Sequence, residues 1–66
     1  ARPAELTRRE RDTLRLLATD RNIPEIAEAL VVSVSTVRTY CKRIYSKLGV
    51  HSRAEAVYRA QRLNLL

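Results

Sequence analysis

At three places in this chain a capping residue stands three positions before a glutamate: Thr7-Arg8-Arg9-Glu10, Asn22-Ile23-Pro24-Glu25 and Ser52-Arg53-Ala54-Glu55. In such a box the first side chain accepts from an exposed backbone N–H, and the glutamate reaches back to the N–H of the cap. The carboxylate also meets the positive end of the helix dipole. Pro24 fits a first helical turn, where its missing N–H has no intrahelical partner to lose. Each box is followed by apolar residues at helical spacing, so three helix starts are marked within 66 residues.

The first helix is predicted from about Arg8 to Thr19, with Leu14 and Leu17 inward. The second runs from Ile23 to Leu30 and buries Ile26, Ala27 and Leu30. The third opens near Ser33 or Ser35, spans about 34–48, and ends at Gly49, which offers the left-handed C-cap conformation. Its apolar residues Val34, Val37, Cys41, Ile44 and Leu48 are spaced three, four, three and four apart, which is one helical stripe. The fourth spans about 53–63, with Ala56, Val57, Ala60 and Leu63 on its inner face. β-branched residues cluster over Leu30–Val37, but the stripe continuing beyond them outweighs a strand. An all-α, four-helix fold is the result.

The whole chain, residues 1–66, reads as one domain, because so short a chain cannot build a cleft between two lobes. Buried surface reaches only about 60% of the unfolded total at this size. A start at Ala1 rather than methionine points to an excised domain. No run of about 18 apolar residues is present, and no charged-then-apolar leader opens the chain, so the expected address is the cytoplasm. The single cysteine, Cys41, cannot form an internal disulfide, and no Cys/His cluster has zinc spacing. Neither a metal nor a cofactor is expected. No nucleophile–base pair, glycine-rich phosphate loop or carboxylate pair is visible, so catalysis is not expected either.

The net charge of +6 is unevenly placed. Residues 1–32 hold six basic and six acidic side chains, which cancel. Residues 33–66 hold Arg38, Lys42, Arg43, Lys47, Arg53, Arg59 and Arg62 against Glu55 alone. Such asymmetry points to a polyanionic partner, most often nucleic acid. A solvated basic surface is the plain alternative.

A short helix, a turn of about four residues and a longer basic helix form the pattern of a helix-turn-helix. The second helix of such a pair needs an apolar stripe for docking and an opposite polar face that enters a groove about 12 Å wide. With the stripe inward, Ser35, Thr39, Lys42 and Ser46 point outward and Arg38 lies at the edge of that face. Arginine and lysine donate to the guanine edge, and a threonine methyl meets a thymine methyl.

The segments Leu6-Thr7-Arg8-Arg9-Glu10, Glu25-Ile26-Ala27-Glu28-Ala29-Leu30, Ser35-Thr36-Val37-Arg38 and Ile44-Tyr45-Ser46-Lys47-Leu48-Gly49-Val50, then Arg53, Ala56 and Val57, resemble the LuxR-type (GerE-type) helix-turn-helix domain. The resemblance covers roughly residues 5–63 in the family's order and spacing. It implies a four-helix bacterial domain that binds double-stranded DNA in transcription regulation, with its third helix in the major groove. Carried over by position, Arg38, Thr39 and Lys42 are the base-facing residues. Ser35, Thr36 and Arg43 are the expected phosphate contacts. Tyr40 replaces a common histidine; its hydroxyl either donates to a phosphate or lies half-buried, and both readings stay open. Asp20 stands where the family commonly has glycine, and Ile23 where it has asparagine, which leaves the loop geometry there undetermined. The stretch from Arg43 to Leu66 is most similar to large ATP-binding members. RNA polymerase is a further candidate partner.

On the fourth helix, Ala54, Tyr58, Gln61 and Leu65 share a face nearly opposite the core, at about 100° per residue. This stripe suits a modest contact between two copies, and the resemblance implies pairing through the same helix. One exposed tyrosine and one leucine are also ordinary on a monomer. A homodimer on DNA is expected, whereas one short helix buries too little for a tight free dimer. Cys41 reads as a small core hydrophobe, His51 as a loop histidine, and Glu10 with Arg53 as a candidate ion pair. Region 4 of a sigma factor is the nearest competing DNA binder, and a small helical module for acidic proteins is the competing class.

Overall fold

The computed structural model describes residues 5–66, so Arg2, one of the six basic residues of the neutral half, lies outside it. Four helices follow one another: α1 (Arg8–Leu17), α2 (Ile23–Leu30), α3 (Val34–Leu48) and α4 (Arg53–Arg62). No strand occurs among the described residues. Two of the capping boxes are complete. Thr7 Oγ1 accepts from Glu10 N at 3.2 Å while Glu10 Oε1 accepts from Thr7 N at 3.0 Å. Asn22 Oδ1 and Glu25 Oε1 do the same reciprocally at 2.9 and 2.8 Å. The third box is only half closed. Ser52 Oγ accepts from Glu55 N, but the Glu55 carboxylate takes the N–H of His51 at 2.9 Å. Ser52 has φ −148°, against −70° at Thr7 and −83° at Asn22, and this more extended cap brings the preceding N–H within reach instead. α3 takes its cap from Ser33, whose hydroxyl accepts from Thr36 N at 3.1 Å and meets the Thr36 hydroxyl at 2.9 Å.

The C-termini divide into two kinds. α2, α3 and α4 each close through a left-handed residue: Val31, Gly49 and Asn64. Beyond each, an N–H turns back onto the last turn of the helix, with Val32 N to Ala27 O at 3.0 Å, Val50 N to Tyr45 O at 2.9 Å and Leu65 N to Ala60 O at 2.9 Å. This is the 6→1 bond of a Schellman closure. α1 has no such residue, since its cap Ala18 is right-handed and Asp20 does not take a positive φ. It stops at Leu17 rather than Thr19, leaving carbonyls open. Arg53 of α4 fills them, with Nε donating to Leu17 O at 3.0 Å and Nη2 to Thr19 O at 2.8 Å. A cation there also complements the negative end of the helix dipole. Arg53 is therefore a cap and not the partner of Glu10.

α3 is the element around which the others pack, touching α1, α2 and α4. Its Val37, Cys41, Ile44 and Leu48 are buried together with Leu6, Leu14, Leu17, Ile26, Ala27, Val50, Ala56 and Ala60. Leu30, Val34 and Val57 flank this cluster, half-buried. The fourth helix departs from its predicted pattern at its end. α4 stops at Arg62, Leu63 is 46% exposed rather than inward, and Leu65 packs on the core rather than joining the outer stripe. The left-handed turn at Asn64 reverses the chain, so helical spacing no longer places Leu65, while Leu63 at the cap stays exposed. Cys41 is a buried free thiol. Burial pushes its pKa up, against a hydrogen bond with Tyr45 and the charge of Arg53.

Glu10 is 2% exposed, and its carboxylate also accepts from Lys47 Nζ of α3 at 2.7 Å. Burial alone raises its pKa, but the Lys47 ammonium together with the Thr7 N–H and hydroxyl outweighs it, holding the carboxyl below its ordinary value. A depressed carboxylate contributes stability above its unfolded pKa and loses it as pH falls through the folded one. Glu10→Gln is expected to cost about 1–3 kcal/mol near neutral pH. The loss of stability between pH 5 and 2 (roughly the carboxylate range) should be shallower in the variant, as read by denaturant midpoints across pH. An unchanged acid slope would remove Glu10 as its source.

Candidate nucleic-acid interface

α2, the turn and α3 form the helix-turn-helix. Three local features fix the turn. Val31 takes φ 58°, ψ 48°, and Val32 is half-buried against the core beside it. Ser33 then caps α3. From α1, Arg9 Nη2 donates to Leu30 O at 3.3 Å, so the end of α2 also has a cation from another helix. The angle between α2 and α3 is thus held from both sides. A helix that must present side chains to a groove needs this rigidity, because a small misplacement at its base is magnified along its length.

The outward face of α3 carries Ser35, Arg38, Thr39, Lys42 and Arg43, all exposed. No acidic residue occurs anywhere in α3. Among the described residues, Arg38, Lys42 and Arg43 make no side-chain hydrogen bond or ion pair, so three cations stand unneutralised on one helix. Lys47 is different, since its ammonium is held by Glu10. Thr39 Oγ1 donates to Ser35 O at 3.2 Å. Its proton is spent within the helix, leaving a methyl and oxygen lone pairs for any further contact. Thr36 is half-buried and tied to Ser33. Tyr40 is half-buried too, between the two readings left open for it.

On α4, Ala54, Tyr58 and Gln61 are exposed, Tyr58 at 62%. With Leu17, Ala18, Arg53 and Val57 they line a shallow groove between the end of α1 and α4. Leu65 lies elsewhere, in a depression with Arg11, Arg15, Asn64 and Leu66. The caps supplied by Arg9 and Arg53, and the bond from Lys47 to Glu10, escape sequence reading. Each links residues 21 to 37 positions apart, and local spacing carries no trace of them.

The model of the family "Bacterial regulatory proteins, luxR family" matches residues 4–60. A solved structure described as transcription factor GerE superposes with a TM-score of 0.86 at 38% identity, covering 92% of this chain and 91% of that one. A probable transcriptional regulatory protein NarL of Mycobacterium tuberculosis is 49% identical over 61 residues. The HTH-type transcriptional regulator MalT of Yersinia pestis is 42% identical over 62 residues. The chain matches over 92% and 94% of its own length in these two, but spans only 28% and 7% of theirs. Relatives of very different length share this unit, so the expected likeness to large ATP-binding members gains no special support.

A bundle of four helices with an acid-free basic helix on its surface is the architecture of a DNA-binding module of transcription regulators. The chain belongs to the luxR family of bacterial regulatory proteins. A sigma-factor region 4 would leave α4 unexplained, whereas the family match runs through it.

The turn yields a prediction of its own. Val31 is β-branched, 88% exposed and left-handed, a conformation that costs an L-residue about 1–2 kcal/mol. Asparagine tolerates it better. Val31→Asn is expected to raise stability by about 1 kcal/mol, read as a higher denaturant midpoint with an unchanged slope. A lower midpoint would mean that the exposed isopropyl group makes a contact worth more than the strain.

Proposed function

We propose that the chain binds specific sites in double-stranded DNA by laying α3 in the major groove. The observation that carries this is the outward face of α3, where Arg38, Lys42 and Arg43 have no internal partner among the described residues and no carboxylate competes. Arg38, Thr39 and Lys42 read base edges. Ser35, Thr36, Tyr40 and Arg43 contact phosphates and set the register. The N-terminus of α3 adds its dipole to the phosphate attraction. Lys47 takes little part, because leaving Glu10 would bury an unpaired carboxylate.

Two copies pair on DNA through α4, with Ala54, Tyr58 and Gln61 in the contact. Leu65 is left out of it, since it packs on its own core. RNA polymerase is a proposed partner of the DNA-bound protein, and the bacterial cytoplasm its proposed place of action. No described helix is long and apolar enough to cross a membrane.

Non-specific duplex binding should weaken steeply with salt, as released counterions require. On a site selected from a random duplex pool, Arg38→Ala and Lys42→Ala should each lower the specific-to-random affinity ratio by about 1–3 kcal/mol. Lys47→Ala should lower stability by stranding Glu10, but leave the ratio of the folded protein nearly intact. Retention of the full ratio by Arg38→Ala would overturn the reading face.

Pairing is tested separately with Tyr58→Asp on one half-site and on an inverted repeat. Cooperative binding on the repeat should weaken while half-site affinity hardly changes. Equal losses on both, or none on either, would take α4 out of the contact.

A further inference from the structure

The first 32 residues are neutral by count, yet among the described residues their charges are unevenly placed. All six of their basic residues are arginine, while the chain's two lysines lie at 42 and 47. Glu10 is buried and occupied by Lys47, and Glu25 closes the cap of α2. Glu28 faces solvent on α2, and Asp20 lies in the loop before it. On α1, by contrast, Glu10, Thr13, Leu14 and Leu17 are turned inward, and the solvent side is left to Arg8, Arg11 and Arg15. Their spacing of three and four places them in one line about 10 Å long on the helix. Half-buried Asp12 lies beside them on this helix face, and exposed Glu5 precedes Arg8 by three residues, so three arginines face two carboxylates here. None of the three guanidinium groups has a hydrogen bond or ion pair among the described residues.

Two depressions flank this line. One is lined by Leu6, Arg8, Arg11, Asp12 and Arg15. The other is lined by Arg11, Arg15, Asn64, Leu65 and Leu66, with Leu66 47% exposed. We infer that this face of α1 docks an acidic surface of a partner protein while α3 holds DNA. The inference rests on the reading of α3 as the DNA-binding helix. α1 and α3 pack on each other through their apolar faces, so their polar faces look away from one another. On this placement a duplex seated on α3 is expected to leave the arginine line free. Arginine forks match carboxylates in bidentate fashion and are favoured at protein interfaces. The neighbouring leucines favour a partner that brings apolar as well as acidic side chains, which nucleic acid does not.

The test uses a helical peptide of about four turns with glutamates at i, i+3 and i+7 flanked by leucines. It is titrated at low salt into the protein alone and into the protein saturated with a short random-sequence duplex. Salt-sensitive peptide binding is expected, changed less than twofold by the duplex. It should fall tenfold or more in the combined Arg8→Gln, Arg11→Gln and Arg15→Gln variant. Duplex affinity of that variant, measured at physiological salt where exposed charges beyond about 8 Å are screened, should stay within twofold of the parent, which also reports that it is folded. Displacement of the peptide by the duplex would assign the peptide to α3 and overturn the proposal. Equal loss of duplex and peptide binding in a variant of native helicity would make the arginine line a phosphate surface. Absence of peptide binding would make it a solvated face. Failure of the parent to bind duplex would refute the reading of α3 itself, while the peptide titration would still decide the arginine line.

Discussion

The carboxylate of Glu10 is the point on which the arrangement of helices depends. It is buried beneath α3 at the start of α1, where an ionised group is tolerated only with partners. One of its oxygens accepts both the Thr7 N–H and the Lys47 ammonium. One group thereby closes the first helix and clamps the last turn of the third onto it. A chain this short has few core residues with which to define a unique packing. A buried charge with a single well-placed cation penalises alternatives that the apolar stripes alone would tolerate, since any slip of α3 along α1 strands it.

Much of the fold is legible in the sequence because its signals are local. Thr7, Asn22 and Ser52 mark helix starts within four residues, Gly49 marks a stop, and the Val37–Leu48 stripe declares the inner face of α3. The same locality sets the limit. Helical spacing carries the outer stripe of α4 on to Leu65, but Asn64 turns the chain and brings Leu65 onto the core, while Leu63 at the cap stays exposed. Glu10 and Arg53 invite pairing because both lie in first turns. Only the tertiary structure shows that Lys47 arrives first and that Arg53 is drawn to open carbonyls. The basic face of α3 can be read from spacing, whereas which of its cations are already engaged cannot.

The four helix ends show how backbone chemistry is distributed in a small domain. Where a residue accepts the left-handed conformation, the helix closes on itself. Where none does, an arginine from a distant helix supplies the missing donors. The second solution does more, because it ties the end of α1 directly to α4. At the end of α2 both devices operate, Val31 in the turn and Arg9 on the Leu30 carbonyl. That redundancy falls on the joint that aims α3.

α3 is at once the centre of the core and the helix that faces outward. Its two roles use separate residues. Val37, Cys41, Ile44 and Leu48 hold the other helices, and Ser35, Arg38, Thr39 and Lys42 hold nothing among the described residues except the Thr39–Ser35 bond. Exchange of exposed residues that lack internal partners typically shifts stability by no more than about 0.5 kcal/mol. The outward positions can therefore drift almost without thermodynamic resistance; on the proposed reading of α3, one unaltered scaffold would pass from one target sequence to another by a few substitutions. A helix divided in this way separates the residues that fold the domain from those free to change what it meets.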